Sequence, residues 1–191
     1  MVPDSHFNDL SGKLLIAMPG MGDPRFEKSV VFMCAHSDDG SMGLIVNKPA
    51  PGVAMDDLLE QLDIPRGAAS EGVGVHFGGP VEHGRGFVLH SGDYATQSST
   101  LQVDDRFGMT ATLDILQDMA SGGGPEKRIL ALGYSGWGPG QLEDEIQQNG
   151  WLTCDATPEI VFAADNGGKW SAALASLGID PLSLSAEAGH A

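Results

Sequence analysis

The sequence predicts an α+β protein: a mixed, largely antiparallel sheet curling toward a small barrel, flanked by about four short helices. Strand-like runs outnumber helical ones. They come as neighbouring pairs joined by short polar turns, unlike the regular β-α-β-α alternation of a doubly wound fold. Glycine, 27 of 191 residues, lies scattered among them at about twice its ordinary share of about 7%. It supplies tight turns and close backbone approaches.

LLIAM (14–18) is a continuous apolar run ended by Pro19, and SVVFMCAH (29–36) is a β-branched and aromatic run ended by Ser37-Asp38-Asp39-Gly40. Both have the length and punctuation of buried strands. MGLIVNK (42–48) follows closely enough to pair antiparallel with the second run. Between the first two lies PGMGDPRFEK (19–28), a shaped loop of two glycines and two prolines, with Phe26 as its anchor into the core. Met55, Leu58, Leu59 and Leu62 recur at helical spacing behind Asp56 and Asp57, acids that suit a helix N-terminus; Pro65 limits the helix.

GVGVHFGGP (72–80) and RGFVLHS (85–91) are further strands joined by residues 81–84, with Phe87 and Leu89 facing one way and Val88 and His90 the other. Thr100–Val103 and Phe107–Thr110 bracket a polar turn as a weaker hairpin. Thr112 or Asp114 caps a helix carrying Ile115, Leu116 and Met119, which the 122–125 glycine-proline cluster ends. RILALGY (128–134) is a strand running into the 135–140 loop. QLEDEIQQN (141–149) is a helix with Pro139 near its start and Gly150 just past its end, and Glu145 sits on the face that Leu142 and Ile146 should bury. Residues 151–154 and 159–163 are short apolar runs, and Trp170, Ala173, Leu174 and Leu177 form a last helix closed by Gly178. Residues 1–11 read as a flexible lead, 12–180 as a single domain and 181–191 as a flexible tail.

Ten basic residues against 26 acidic ones leave a formal charge of −16, with the bases spread along the chain. Phosphate-backbone recognition needs a clustered basic face, so direct nucleic-acid binding is disfavoured, as is an anionic membrane surface. No run approaches the roughly 18 apolar residues that span a bilayer, and no leader is legible, so the chain is expected in the cytoplasm with Cys34 and Cys154 reduced.

Enzyme signatures nearly appear and each fails on a named residue. Gly133-Tyr134-Ser135-Gly136-Trp137 has the strand-to-helix setting of a nucleophile elbow but carries Trp137 where the last glycine belongs. Gly168-Lys169 is followed by Trp170 where a phosphate loop needs Ser or Thr, and Gly20-x-Gly22 and Gly72-x-Gly74 lack the third glycine of a dinucleotide fingerprint. His76, His83 and His90 are spaced by seven, but the glycines between them exclude one helix, so no metal site is read from them and no cofactor is expected. His36 and His90 read as hydrogen-bonded strand-end residues and His83 as a loop residue. Asp23, Arg25, His36, Asn47 and His90 sit at strand ends or in the shaped loop, where sites are often built; structural roles in caps, ion pairs and backbone satisfaction are the competing reading. Gln141 and Glu145, one turn apart, are placed to hydrogen-bond the 136–140 loop.

LLIAMPGMGDPRFEKSVVFMCAH with MGLIVNKP, GGPVEHGRGFVLHS, LGYSGWGPGQLEDEIQQNGWL and WSAALASLGID together resemble the YqgE/AlgH family of bacterial proteins, in order from about Gly12 to Asp180. The resemblance implies a bifurcated sheet that includes a small closed barrel, and little chemistry; the family's label of transcriptional regulator derives from an alginate-production phenotype. Asp23, His36, Asn47, His90, Tyr134, Gln141 and Glu145 fall on the family motif. With Arg25 they form the candidate binding cleft, and no catalytic or metal residue is assigned. The expected role is a non-enzymatic regulatory or adaptor protein, monomer or homodimer, acting through protein or small-ligand contacts. The alternatives are an enzyme of unrecognised type using Asp23, His36 and His90, and a direct DNA-binding regulator that the charge disfavours.

Overall fold

The run LLIA offers no polar side chain to solvent on either face, so the strand it forms must be covered on both. In the computed structural model, which describes residues 9–19, 26–50, 52–65, 74–95, 100–111, 113–163 and 165–180, it is. The elements in chain order are β1 (Lys13–Ala17), β2 (Val30–Ser37), β3 (Gly40–Ile45), α1 (Met55–Gln61), β4 (Val75–Phe77), β5 (Val81–Ser91), β6 (Thr100–Gln102), β7 (Phe107–Thr110), α2 (Leu113–Ser121), β8 (Arg128–Trp137), α3 (Gln141–Gln147), β9 (Trp151–Asp155), α4 (Pro158–Val161) and α5 (Lys169–Ser176). β1 lies between β2 and β9, antiparallel to both. Leu14 and Ile16 face one core, and Leu15 and Ala17 face another.

The sheet runs β6-β7-β5-β8-β3-β2-β1-β9, with β4 parallel to β8. It curls into a half-barrel: the rings of Phe32 on β2 and Phe107 on β7, with three strands between them in the sheet, meet at 4.8 Å. The β6–β7 turn reaches the start of β1, where a side chain on Gly12 would strike Asp104. A second core lies between α1, α2 and the strands β4, β5 and β8, and a third lies under α3. Fully burying each Leu, Ile, Val or Phe stabilises the fold by about 1.5–3 kcal/mol, so these three clusters hold the sheet's shape.

β8 is where the sheet divides. Its residues Leu130 to Leu132 pair with β4 on one side and β5 on the other, while Ser135 to Trp137 pair with β3. Gly78 fills the fork, donating to the Leu132 carbonyl and accepting from the Ile45 amide and the Ser135 hydroxyl. The chain then crosses β8 at Gly79. A Cβ there would lie 2.1 Å from the Tyr134 carbonyl carbon, so only glycine passes.

Several boundaries differ from expectation. Residues 81–84 continue β5 as a strand with an irregular register between Val81 and Gly86. β8 runs through to Trp137, because β3 offers Ser135 to Trp137 a second partner. Past the end of α3, the left-handed residue is Asn149 at φ 62°, not Gly150; Asn tolerates that conformation, and the Gly150 amide then closes on the Glu145 carbonyl. The apolar run 159–163 contributes α4, started by Pro158 behind a Thr157 cap. Phe26 does anchor its loop, stacking edge-on against Trp151 at 5.8 Å. Asp23, Arg25, Thr112 and most of the proposed lead and tail lie outside the described residues, as does the His83 side chain. Among described residues no helix is long and apolar enough to cross a membrane.

Candidate functional site

Three small or flexible residues lie side by side across the open end of the half-barrel: Ala35 pairs with Met42, and Met42 with Gly136. Little side chain rises there, so the register leaves a depression of about 540 Å³ walled by Val81 and Tyr134 and edged by Ser37, Asp39, Gly40 and Trp137. Val81 is 37% exposed, and Tyr134 and Met42 are half-buried. The Tyr134 ring is held edge-on to Phe87 at 5.8 Å, and the Arg85 guanidinium covers Phe87 in turn.

Trp137 follows Gly136 in β8 and so turns its indole to the opposite face of the sheet, into the core under α3, where α3 fixes it. Glu145 Oε1 accepts both indole N–H groups, from Trp137 at 3.1 Å and from Trp151 at 2.9 Å, and Oε2 accepts the Gln141 amide at 2.9 Å. That is why a carboxylate occupies a face otherwise meant for apolar residues: its oxygens satisfy two tryptophans whose donors have left water. Gln141 Oε1 accepts the Gly138 amide, so Gln141 secures the loop as expected, whereas Glu145 secures indoles and not loop backbone.

His36 lies on β2 beneath the same helix. Its Nδ1 accepts the Leu10 amide at 2.9 Å, which leaves the proton on Nε2, directed at Glu143 Oε2 3.3 Å away. His90 is fully buried on β5, with β8 and β3 lying between it and β2. Its Nδ1–H donates to the Ser91 carbonyl and its Nε2 accepts the Thr110 hydroxyl, both at 2.8 Å; Thr110 in turn meets Thr100 Oγ1. Burial holds its pKa below the ordinary imidazole value. Asn47 clips the entry to β2, accepting the Val30 amide and donating to the Lys28 carbonyl. The structure thus brings Tyr134 to the groove, places Gln141 and Glu145 with Trp137 and Trp151 on the other face of the sheet, sets His36 beside them through Glu143, and leaves Asn47 and His90 elsewhere.

Other titratable groups are structural in their surroundings. Lys169, 1% exposed, donates to the Val46 and Val161 carbonyls, and burial pulls its pKa down to about 8. Burial of His76 lowers its pKa, and the nearby Lys169 ammonium lowers it further. Both cysteines are free and buried, and burial pushes the Cys34 thiol up to about 12. Among described residues no group of three His, Cys, Asp or Glu side chains converges as a metal site. Sequence reasoning missed Val81, Met42 and Gly136 because their convergence depends on strand registers between distant segments; no local pattern marks them.

A bifurcated, curled antiparallel sheet with its groove at the open end defines the structural class. Within it, the chain belongs to the AlgH-like family (DUF179), whose profile matches residues 14–182. A UPF0301 protein of Ruegeria pomeroyi is 65% identical over 184 residues, covering 96% of this chain and 100% of its own length. Another, from Cereibacter sphaeroides, is 59% identical over 183 residues with the same coverage. The solution structure of AlgH from Pseudomonas aeruginosa superposes with a TM-score of 0.78 at 42% identity, covering 96% of this chain and 97% of that one. A Corynebacterium diphtheriae protein shares the fold at 21% identity, TM-score 0.68, over 84% of this chain and 83% of its own.

Proposed function

We propose that this protein is a cytoplasmic regulatory or adaptor protein without catalysis of its own, acting through protein or small-ligand contacts at the groove beside Tyr134. The observation that supports this most directly is the groove's lining: half-exposed Met42, Val81 and Tyr134 on a sheet floor, with Asp39 the one charged residue among the described residues lining it. A reactive centre needs an acid or base aimed at a substrate. The two histidines considered for that role are engaged with backbone, Thr110 and Glu143, on strands that are not neighbours. The charge of −16 and free, buried cysteines suit a soluble protein of a reducing compartment and weigh against direct DNA binding.

The test is a thermal-shift screen of the purified chain against nucleotides, metabolites and divalent metals, run beside affinity capture from lysate, each with wild type and Tyr134→Ala. A ligand at about a hundred times its dissociation constant adds about 2.7 kcal/mol. The reading predicts a ligand shift or a captured partner that Tyr134→Ala loses. Turnover of any substrate by the wild type, or hits indifferent to Tyr134, would sink it.

A further inference from the structure

The groove borders a short length of free sheet edge. β5 pairs with β8 as far as Val81↔Tyr134, and the chain preceding Val81 crosses at Gly79 to the opposite side, where Gly78 bonds Leu132 and Ile45. Ser135 to Trp137 therefore pair with β3 on one side and, among described residues, with no strand on the other. Alternation along β3 says which groups face outward. The Ile45 amide points to the β8 side, so Gly43 and Ser41 point there too, and their partners Ser135 and Trp137 point back at β3. Gly136, between them, turns its own N–H and C=O to the free side, and it is exposed.

We infer that this edge of β8 takes an extended peptide segment of a protein partner as an added strand, centred on Gly136. The inference rests on the reading of the groove as a binding site and names its occupant. A paired donor and acceptor at strand spacing match a peptide backbone, and the missing Cβ of Gly136 lets that backbone approach. The peptide residue opposite Gly136 would share its face, so its side chain enters the depression between Met42, Val81 and Tyr134 and should be apolar. Asp39 at the rim and the charge of −16 favour lysine or arginine at flanking positions.

The probe is an acetylated, amidated hexapeptide alternating valine and lysine, titrated into the isotope-labelled full chain and followed by NMR. The expected result is a saturable shift of the Gly136 amide. Methylating the peptide's central amide nitrogens should weaken binding by about tenfold or more, and glutamate in place of lysine should weaken it as well. Asp39→Asn, at an exposed turn, should weaken the lysine peptide without altering the fold; Gly136→Val, which fills the floor, should abolish the peptide-induced shifts of the neighbouring Ser135 and Trp137 amides.

Equal affinity for the methylated peptide would overturn strand addition. So would an unmoved Gly136 amide at peptide concentrations on the order of millimolar. If that blank coincides with a partner or ligand that Tyr134→Ala still loses, the groove binds by another mode and only this inference fails. If Tyr134→Ala changes nothing either, the groove reading fails with it. A Gly136 shift that depends on protein concentration without peptide would assign the edge to a second copy of the chain, against the inference.

Discussion

Glu145→Ala removes the acceptor that two indole N–H groups share, and neither Trp137 nor Trp151 has water to turn to. The expected loss is about 2–4 kcal/mol, measured as a lowered urea midpoint with a red-shifted tryptophan emission. Lys169 and the histidines are read through pH. The folded pKa of Lys169 is lowered to about 8 from 10.5, so between those values the unfolded chain holds more protons and stability rises with pH. Cys34, raised to about 12 from 9.0, works in the opposite direction above pH 9.0. The Lys169 contribution is therefore isolated by comparison with Lys169→Met: wild type should gain on the variant between neutral pH and the upper end of that window, and a constant difference would contradict the assignment.

His76 and His90 are lowered by burial, so as pH falls through 6.5 the unfolded chain takes up protons the folded chain refuses, and stability is lost. A urea midpoint flat between about pH 7 and 5 would contradict this, as would an unchanged slope in His90→Gln. What was legible at this scale was type and not partner. The oddity of Glu145 is visible from Leu142 and Ile146 alone, but its indoles lie eight and six residues away and arrive from β8 and β9. Lys169, which falls in a failed phosphate-loop pattern, is a buried tie between Val46 and Val161.

Among the elements, β8 depends most on a neighbour. Gly79→Ala drives a methyl group into the Tyr134–Ser135 peptide, from which no flexible side chain can retreat. It should cost at least about 3 kcal/mol, read by chemical denaturation. Gly84→Ala, with open space around the glycine, is the control and should change little. Strands announced themselves through apolar runs and turn residues, and the second and third were paired correctly because a four-residue turn leaves little choice. The end of β8 was misjudged because Ser135-Gly136-Trp137-Gly138 has loop composition; β3, almost a hundred positions earlier, recruits it. The 81–84 segment also differs from the expected loop: Val81 pairs with Tyr134, and the register breaks between Val81 and Gly86, an irregularity no local pattern marks.

For the whole molecule, fold class and the curl followed from the ordering of runs, while bifurcation came only through family likeness: where a sheet forks is decided by Gly78 and Gly79 meeting β8, which no periodicity encodes. Of the candidate site, Tyr134 alone was singled out at the groove, because the rest of its lining comes from β2, β3 and β5; Gln141 and Glu145 serve the indoles of Trp137 and Trp151 instead. The pairing of β1 with β9 has a consequence in time. Lys13 and its partner Asp155 are 142 residues apart, and Trp170 then bonds the Ala17 carbonyl from further still. At about 5–20 residues per second, the ribosome releases β1 well before β9 exists. One flank of the most apolar strand must therefore wait on the order of ten seconds for its partner, an interval in which the nascent chain is open to chaperones and to neighbouring copies of itself.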